Sequence, residues 1–317
     1  MDFLKKLFGG EPEKNNEKNQ KNKDKDFDIL KYDGLRALQN GQPEYARTCL
    51  EHALEIKEDP EALGFLAQAL LHLHENEEAL GILSRIAELM PENVQAHLNV
   101  SRIAGRIKNY PTMEAAADQA LKIEAKNAEA LCLKAEARRE NGDLLNAIAL
   151  LTQATMNDPN LESAYLLRVG TLVLMGQLQN AEEDIDYLLE HFEIKEDYLL
   201  RKAEIRHMRG DLEQAIAYFI KVKEANPFNR EAYLGLSQAY SENHQLDKAL
   251  ETDNEAIDLI QDFAAGYKER GRIKMLLNDK EGALKDLKRA LALDPHEGRE
   301  LEGLFSNLDQ YNAENKE

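Results

Sequence analysis

Eight histidines and two cysteines are the residues in this 317-residue chain best suited to hold a metal or attack a substrate. His72 and His74 stand beside Glu75 in the run HLHENEEA. A helical zinc site needs two imidazoles four residues apart, so that both leave one face; a separation of two sends them to different sides. No further ligand set lies near them, so these histidines are expected in solvent at a turn. Cys49 and Cys132 show neither metal nor redox spacing. They read as small packing residues, and their scarcity fits a reducing compartment. Apart from Gly9 and Gly10 the glycines are single, so no Gly-rich loop cradles a phosphate, and there is no GxSxG elbow or kinase-type set. The 59 Asp and Glu outnumber the 40 Lys and Arg, giving a net charge of −19. Carboxylates scattered on helical stretches solvate a surface rather than form an acid–base pair. The expectation is a chain with no catalytic residue, no cofactor and no metal: not an enzyme.

The elements that such side chains would need are helices. Residues 128–161 read as two short amphipathic helices and a turn. Leu131, Lys134, Ala135 and Arg138 recur at the spacing of one helical face, and Ala147, Leu150, Leu151 and Ala154 repeat it. Gly142 between them can take the left-handed conformation that ends a helix cheaply. Neither helix can bury its apolar side alone, so the unit asks for neighbours of its own kind. The chain supplies them. Ala62, Ala96, Ala130 and Ala164 fall 34 residues apart, as do Gly142, Gly176 and Gly210, and Ala147, Ala181, Ala215, Ala249 and Ala283.

This pattern resembles the tetratricopeptide-repeat family, whose helix–turn–helix unit has that period. The resemblance covers residues 27–297. It implies an all-α fold, a right-handed superhelix or solenoid of eight units at 27–59, 60–93, 94–127, 128–161, 162–195, 196–229, 230–263 and 264–297. Met113 takes the place of an alanine in the third unit, and Lys108 and Pro111 suggest an irregular turn there. His244 and Asn278 replace the turn glycine later, where both tolerate positive φ better than most residues. Residues 298–311 carry Leu301, Leu304, Phe305 and Leu308 on one face and read as a C-terminal capping helix, for seventeen helices in all, with a disordered tail at 312–317.

Residues 1–10, MDFLKKLFGG, form a short amphipathic N-terminal segment with Phe3, Leu4, Leu7 and Phe8 together and Lys5 and Lys6 beside them. It suits a weak peripheral contact with a membrane surface, a partner, or neither. Residues 11–26 lack apolar side chains before the repeats begin and are expected to be a disordered charged linker. No apolar run reaches the ~20 residues of a spanning helix, and no secretory signal is visible, so a cytoplasmic location is expected. The acidity argues against nucleic acid, whose phosphates need clustered cations.

What the resemblance implies about function is a non-catalytic scaffold or adaptor that holds a peptide or protein segment on the face lined by the first helix of each unit. The alternative is a non-catalytic subunit or regulatory arm of an enzyme complex, tethered to a membrane by residues 1–10. The family's clamp for a chaperone's C-terminal carboxylate is not matched: Leu35 follows Lys31 where an asparagine is required, and Asn99 lacks its Lys/Arg pair. After the packing positions are used, the leftover stripe in the third to sixth units includes Leu98, Cys132, Glu136 and Glu204. From that stripe the partner groove is expected at Arg102, Arg106, Arg139, Leu166, Gly170, Val173, Leu174, Leu200, His207 and Met208. The arginines make a basic spot and the aliphatic residues an apolar one. The expected partner is therefore a segment with apolar anchors and acidic residues.

Overall fold

A computed structural model describes residues 12–294. Residues 1–11 and 295–317, with the expected N-terminal segment, capping helix and tail, lie outside the described residues. The described residues form sixteen helices in eight hairpins. The first four hairpins are α1 (Pro12–Gln39) with α2 (Pro43–Ile56), α3 (Pro60–His72) with α4 (Asn76–Leu89), α5 (Val94–Arg106) with α6 (Tyr110–Ile123), and α7 (Ala128–Glu140) with α8 (Leu144–Asn157). The next four are α9 (Glu162–Leu174) with α10 (Leu178–His191), α11 (Glu196–Met208) with α12 (Leu212–Ala225), α13 (Arg230–Glu242) with α14 (Leu246–Leu259), and α15 (Ala264–Leu276) with α16 (Lys280–Leu293). From Pro60 onward the first helices start 34 residues apart. The chain divides into two compact units, Met1–Thr171 and Leu172–Glu317, with the boundary inside α9. No helix among the described residues is long and apolar enough to cross a membrane.

Each hairpin closes on one left-handed residue. In the fourth this is Gly142, at φ +83°. Its N–H donates to Arg139 O at 2.9 Å and the next, of Asp143, to Arg138 O at 2.9 Å, the hydrogen-bond pair of a Schellman cap. The third hairpin does the same with Lys108, at φ +59°, whose N–H reaches Gly105 O at 2.9 Å while that of Asn109 reaches Ala104 O at 2.8 Å. The turn expected to be irregular there is a regular one. Pro111 sits in the first turn of α6, where a missing N–H costs nothing. His74, His244 and Asn278 hold the same left-handed position. Several first helices are capped by an Asx side chain: Asp59 accepts from Ala62 N–H at 2.9 Å and Asn127 from Ala130 N–H at 2.9 Å.

The alanine series lies where helices pack, within a hairpin for Ala147, which clusters with Ala135, and between successive hairpins for Ala62, which clusters with Ala53, and Ala130, which clusters with Ala117 and Ala120. Ala62, Ala130, Ala147, Ala181, Ala215, Ala249 and Ala283 are all fully buried. Met113 is buried as well, and Gly105 makes room for it: a Cβ there would stand 3.0 Å from the Met113 thioether. The methionine is matched by a missing side chain opposite.

The backbone over 12–26 differs from expectation. It was expected as a disordered linker and is helical from Pro12, as the leading turns of α1. Helix formation is costly only at its nucleus, and residues 12–26 extend a helix already anchored at Phe27, which is buried against Ala53 and Ala62. The Lys, Glu and Gln in the stretch are good helix formers.

The two units differ in what they bury. Beside the alanines, the first is filled by aliphatic side chains such as Leu50, Leu66, Leu133 and Leu151. Among the described residues the first unit buries one charged side chain, Lys31, and the second buries several. Glu182 of α10 is 3% exposed and meets Lys202 Nζ at 2.5 Å, with Arg206 and Arg209 beside it. Asp286 of α16 takes a two-pronged contact from Arg270, at 2.8 and 2.7 Å, and a third from Lys274 at 2.7 Å.

Candidate functional site

Within the first unit, α5 and α7 place the expected basic spot. Arg102 and Arg106 stand one turn apart on the outer stripe of α5, and both are exposed. Arg102 Nε lies 2.7 Å from Glu129 Oε1 on α7. Arg139 Nη2 lies 2.6 Å from Glu140 Oε1, and Tyr110 donates to the same carboxylate at 3.4 Å. Arg106 has no ion-pair partner among the described residues. Gly170 leaves open space that Arg139 borders, its Nη1 3.9 Å from where a Cβ would be. Leu166 is half-buried. Burial pushes the Glu136 carboxyl above its ordinary range; Arg139 opposes that and Glu140 adds to it. An acidic partner group would thus find Arg106 open, and would have to share Arg102 and Arg139 with carboxylates already present.

Two stripe residues of this unit do not face outward. Leu98 is 3% exposed and packs with Met113 and Ala117. Cys132 is buried against Leu131 and Ala135. Desolvation, helped by the Glu129 and Glu136 carboxylates, pushes its thiol up to about 12, so it is chemically inert. The His72–His74 pair has a local explanation, since His74 is the left-handed turn residue. Lys31 is also spoken for: it is buried, with Nζ 2.8 Å from Asp59 and 2.6 Å from Glu61.

Within the second unit, the expected apolar residues divide. Leu174 is 67% exposed and Met208 is 51% exposed. Val173 is half-buried, and Leu200 packs against the cluster of Ala203, Phe219 and Leu236. His207 turns its ring edge to Phe219 and brings Nε2 to 2.9 Å from Glu242 Oε2 on α13. On the same helix, crowding by protein pushes the Glu204 carboxyl up; Arg201 pulls it back, and Asp197 and Glu231 add to the rise. Leu174, Met208, Glu242 and Leu276 occupy one position in successive first helices, and Leu276 is 54% exposed. Leu276 was missed in the sequence, although carrying the same register two repeats further would have found it.

The ten expected groove residues do not line a surface recess of about 590 Å³ that lies between α4, α5 and α6 beside Ala87, Pro91, Val100 and Ile123. No group of three or more His, Cys, Asp or Glu among the described residues could hold a metal.

Comparison with known proteins places this geometry. Tetratricopeptide-repeat models match residues 37–102, 128–161 and 209–262. A relative, Hsc70-interacting protein 1 of Drosophila melanogaster, is 37% identical over 82 residues, which are 26% of this chain and 22% of that protein. The chain thus matches about a fifth of that relative's length. Among solved structures, a tetratricopeptide-repeat protein from Parabacteroides merdae superposes with a TM-score of 0.54 at 19% identity, covering 85% of this chain and 94% of that one. PilF of Pseudomonas aeruginosa gives 0.52 at 18%, covering 67% and 96%. At these identities the two structures speak to fold alone. From Pro60 onward the matched stretches and the hairpins between them share one 34-residue register, and the chain belongs to the tetratricopeptide-repeat family.

Proposed function

We propose that this protein is a non-catalytic interaction scaffold whose first-helix faces hold a segment of another protein. The observation that carries the reading is the row of Leu174, Met208 and Leu276, large apolar side chains left half or more exposed at one repeat position. Side chains in that position are not needed for packing, and apolar surface kept in water usually serves binding. On the first unit, Arg106 and the shared Arg102 and Arg139 offer charge to acidic residues. The partner is therefore a segment with aliphatic or aromatic anchors and with acidic residues. A relative named for interacting with Hsc70 supports a protein partner. The Lys31 ammonium, already held by Asp59 and Glu61, speaks against a chaperone-tail clamp on this chain.

The test is a displayed peptide library selected on the full chain. Enriched peptides should combine two or three Leu, Met or Phe with Asp or Glu. Their binding should be lost in Leu174→Glu with Met208→Glu at unchanged melting temperature. Arg102→Glu with Arg106→Glu should chiefly slow association at low salt. Peptides that bind the Leu174/Met208 double variant as well as the parent would refute the proposed face.

A further inference from the structure

The second helix of the fourth repeat, α8, has the sequence LLNAIALLTQATMN. It is the one helix of the sixteen described that contains no Asp, Glu, Lys, Arg or His. The rest of the chain is dense in charge, and its formal charge is −19. On this helix stand the two most exposed large hydrophobic side chains of the described residues, Leu145 at 73% and Met156 at 75%. Neither contributes to the core beneath, which is filled by Ala147, Leu151 and Ala154. Leu145, Ala149, Thr152 and Met156 follow at steps of four, three and four, so they form one narrow stripe along the helix. Exposed Asn146 and Gln153 flank it, polar but uncharged. One cation touches the stripe: Arg168 donates to the Thr152 and Thr155 hydroxyls at 3.3 and 3.0 Å and lies over the Tyr165 ring.

The stripe reads the same from both ends: large, small, small, large. Laid antiparallel on a copy of itself, Leu145 meets Met156 of the second copy and Ala149 meets Thr152, each pair occurring twice about a two-fold axis. This is the self-complementarity that an isologous contact requires. The small residues fall at the centre, where two helices approach most closely, and the large ones fall at the rims. Two copies of an acidic chain repel each other over most of their surfaces, and α8 is the helix where that repulsion is least. A membrane is a poorer occupant, because the helix has no Lys or Arg to meet lipid headgroups.

We propose that the outer face of α8 is a self-association surface, pairing antiparallel with α8 of a second copy of this chain. One helix per copy buries less than the ~1,200 Å² of a standard specific interface, so the dimer is weak and depends on concentration. In the paired register each Asp143 stands level with the Asp158 of the other copy. Asp143 already has the Arg138 guanidinium at 3.2 Å, which blunts that repulsion. Added salt screens what remains together with the net charge, so association strengthens with ionic strength, the reverse of an interface held by ion pairs.

Sedimentation velocity of the full chain from micromolar to millimolar loading tests this. The parent should shift toward dimer, more at high salt. Leu145→Lys alone and Met156→Glu alone should each weaken association at least about tenfold. Both side chains are about three-quarters exposed, so helicity and melting temperature should not change. The combined variant, Leu145→Lys with Met156→Glu, should recover association, because the antiparallel register sets each new cation against a new carboxylate. A parent that remains monomeric up to about 1 mM, or single variants that associate like the parent, would overturn the proposal. So would a double variant weaker than either single one, since that outcome excludes the antiparallel register. A third arm adds zwitterionic vesicles: co-sedimentation lost on Leu145→Lys, with no dimer at any loading, would reassign the face to a lipid surface.

Discussion

Asp253 should make the second unit less stable as pH rises from about 4 to 8, and Asp253→Asn should remove the effect. The side chain leaves α14 at 1% exposure, and its Oδ2 has no hydrogen-bond partner. Ser237 of α13 faces it, with Glu269, Arg270 and Arg272 of α15. Desolvation pushes its carboxyl up to about 8; the Ser237 hydroxyl pulls it down, Glu269 pushes it up, and Arg272 and Arg270 pull it down. The ordinary value is 3.8. In the unfolded chain the group therefore ionises early, while in the fold it keeps its proton to about pH 8. Its stabilising contribution is fully present below the unfolded value and is lost as pH climbs through the folded one. The slope between the two is about 1.4 kcal/mol per pH unit. Asparagine has the same shape and no charge, so the variant should gain on the parent by about 4 kcal/mol at pH 7 and by almost nothing near pH 4. Asp286 and Asp59, whose carboxyls are held low, tilt the profile the other way, but they are common to both proteins and cancel in the difference. The assay is urea denaturation followed by helicity at pH 5, 6, 7 and 8, with hydrogen exchange of α13, α14 and α15 amides to localise the change, because a repeat array need not unfold in one step. A difference between parent and variant that is flat across pH, or an asparagine variant less stable throughout, would show that Asp253 is ionised in the fold and refute the reasoning.

Two further outcomes follow from the same structure. Asp286→Ala leaves Arg270 and Lys274 in a crowded site without their counter-charge, and should cost about 3–5 kcal/mol by chemical denaturation; the parent should lose this contribution as pH falls through the depressed value of Asp286. Lys108→Gly should raise stability by about 1 kcal/mol, because φ +59° suits glycine, and Gly142→Ala, at φ +83°, should lower it by a similar amount; melting curves of the two variants give opposite shifts.

Much of the architecture was legible in the residues because helix hairpins are written locally. The spacing of Ala147, Leu151 and Ala154 is a property of one helix, and the structure buries all three completely. The 34-residue step adds only repetition. Where the reading failed locally, at Lys108 and over residues 12–26, the competing term was cooperative. A Schellman cap whose hydrogen bonds are all available forms around a lysine despite its strain, and a packed helix extends into residues that would not start one.

The candidate binding face was legible only in outline. The sequence by itself determined which positions belong to the first-helix stripe, and hence the exposed places of Arg106, Leu174 and Met208. Tertiary structure alone decided which neighbours on the stripe are free. Leu98, Cys132 and Leu200 have the same register credentials as Met208, yet they pack inward, because a residue at the edge of an apolar face turns in or out according to the helix beside it. Only the fold set Arg102 against Glu129, His207 against Glu242 and Lys31 against Asp59, pairs 27 to 35 residues apart. The same holds for the buried charges at Glu182, Asp253 and Asp286. Periodicity fixes a side chain's direction on its own helix, but charge pairing and burial depend on what the next helix brings to within a few ångströms.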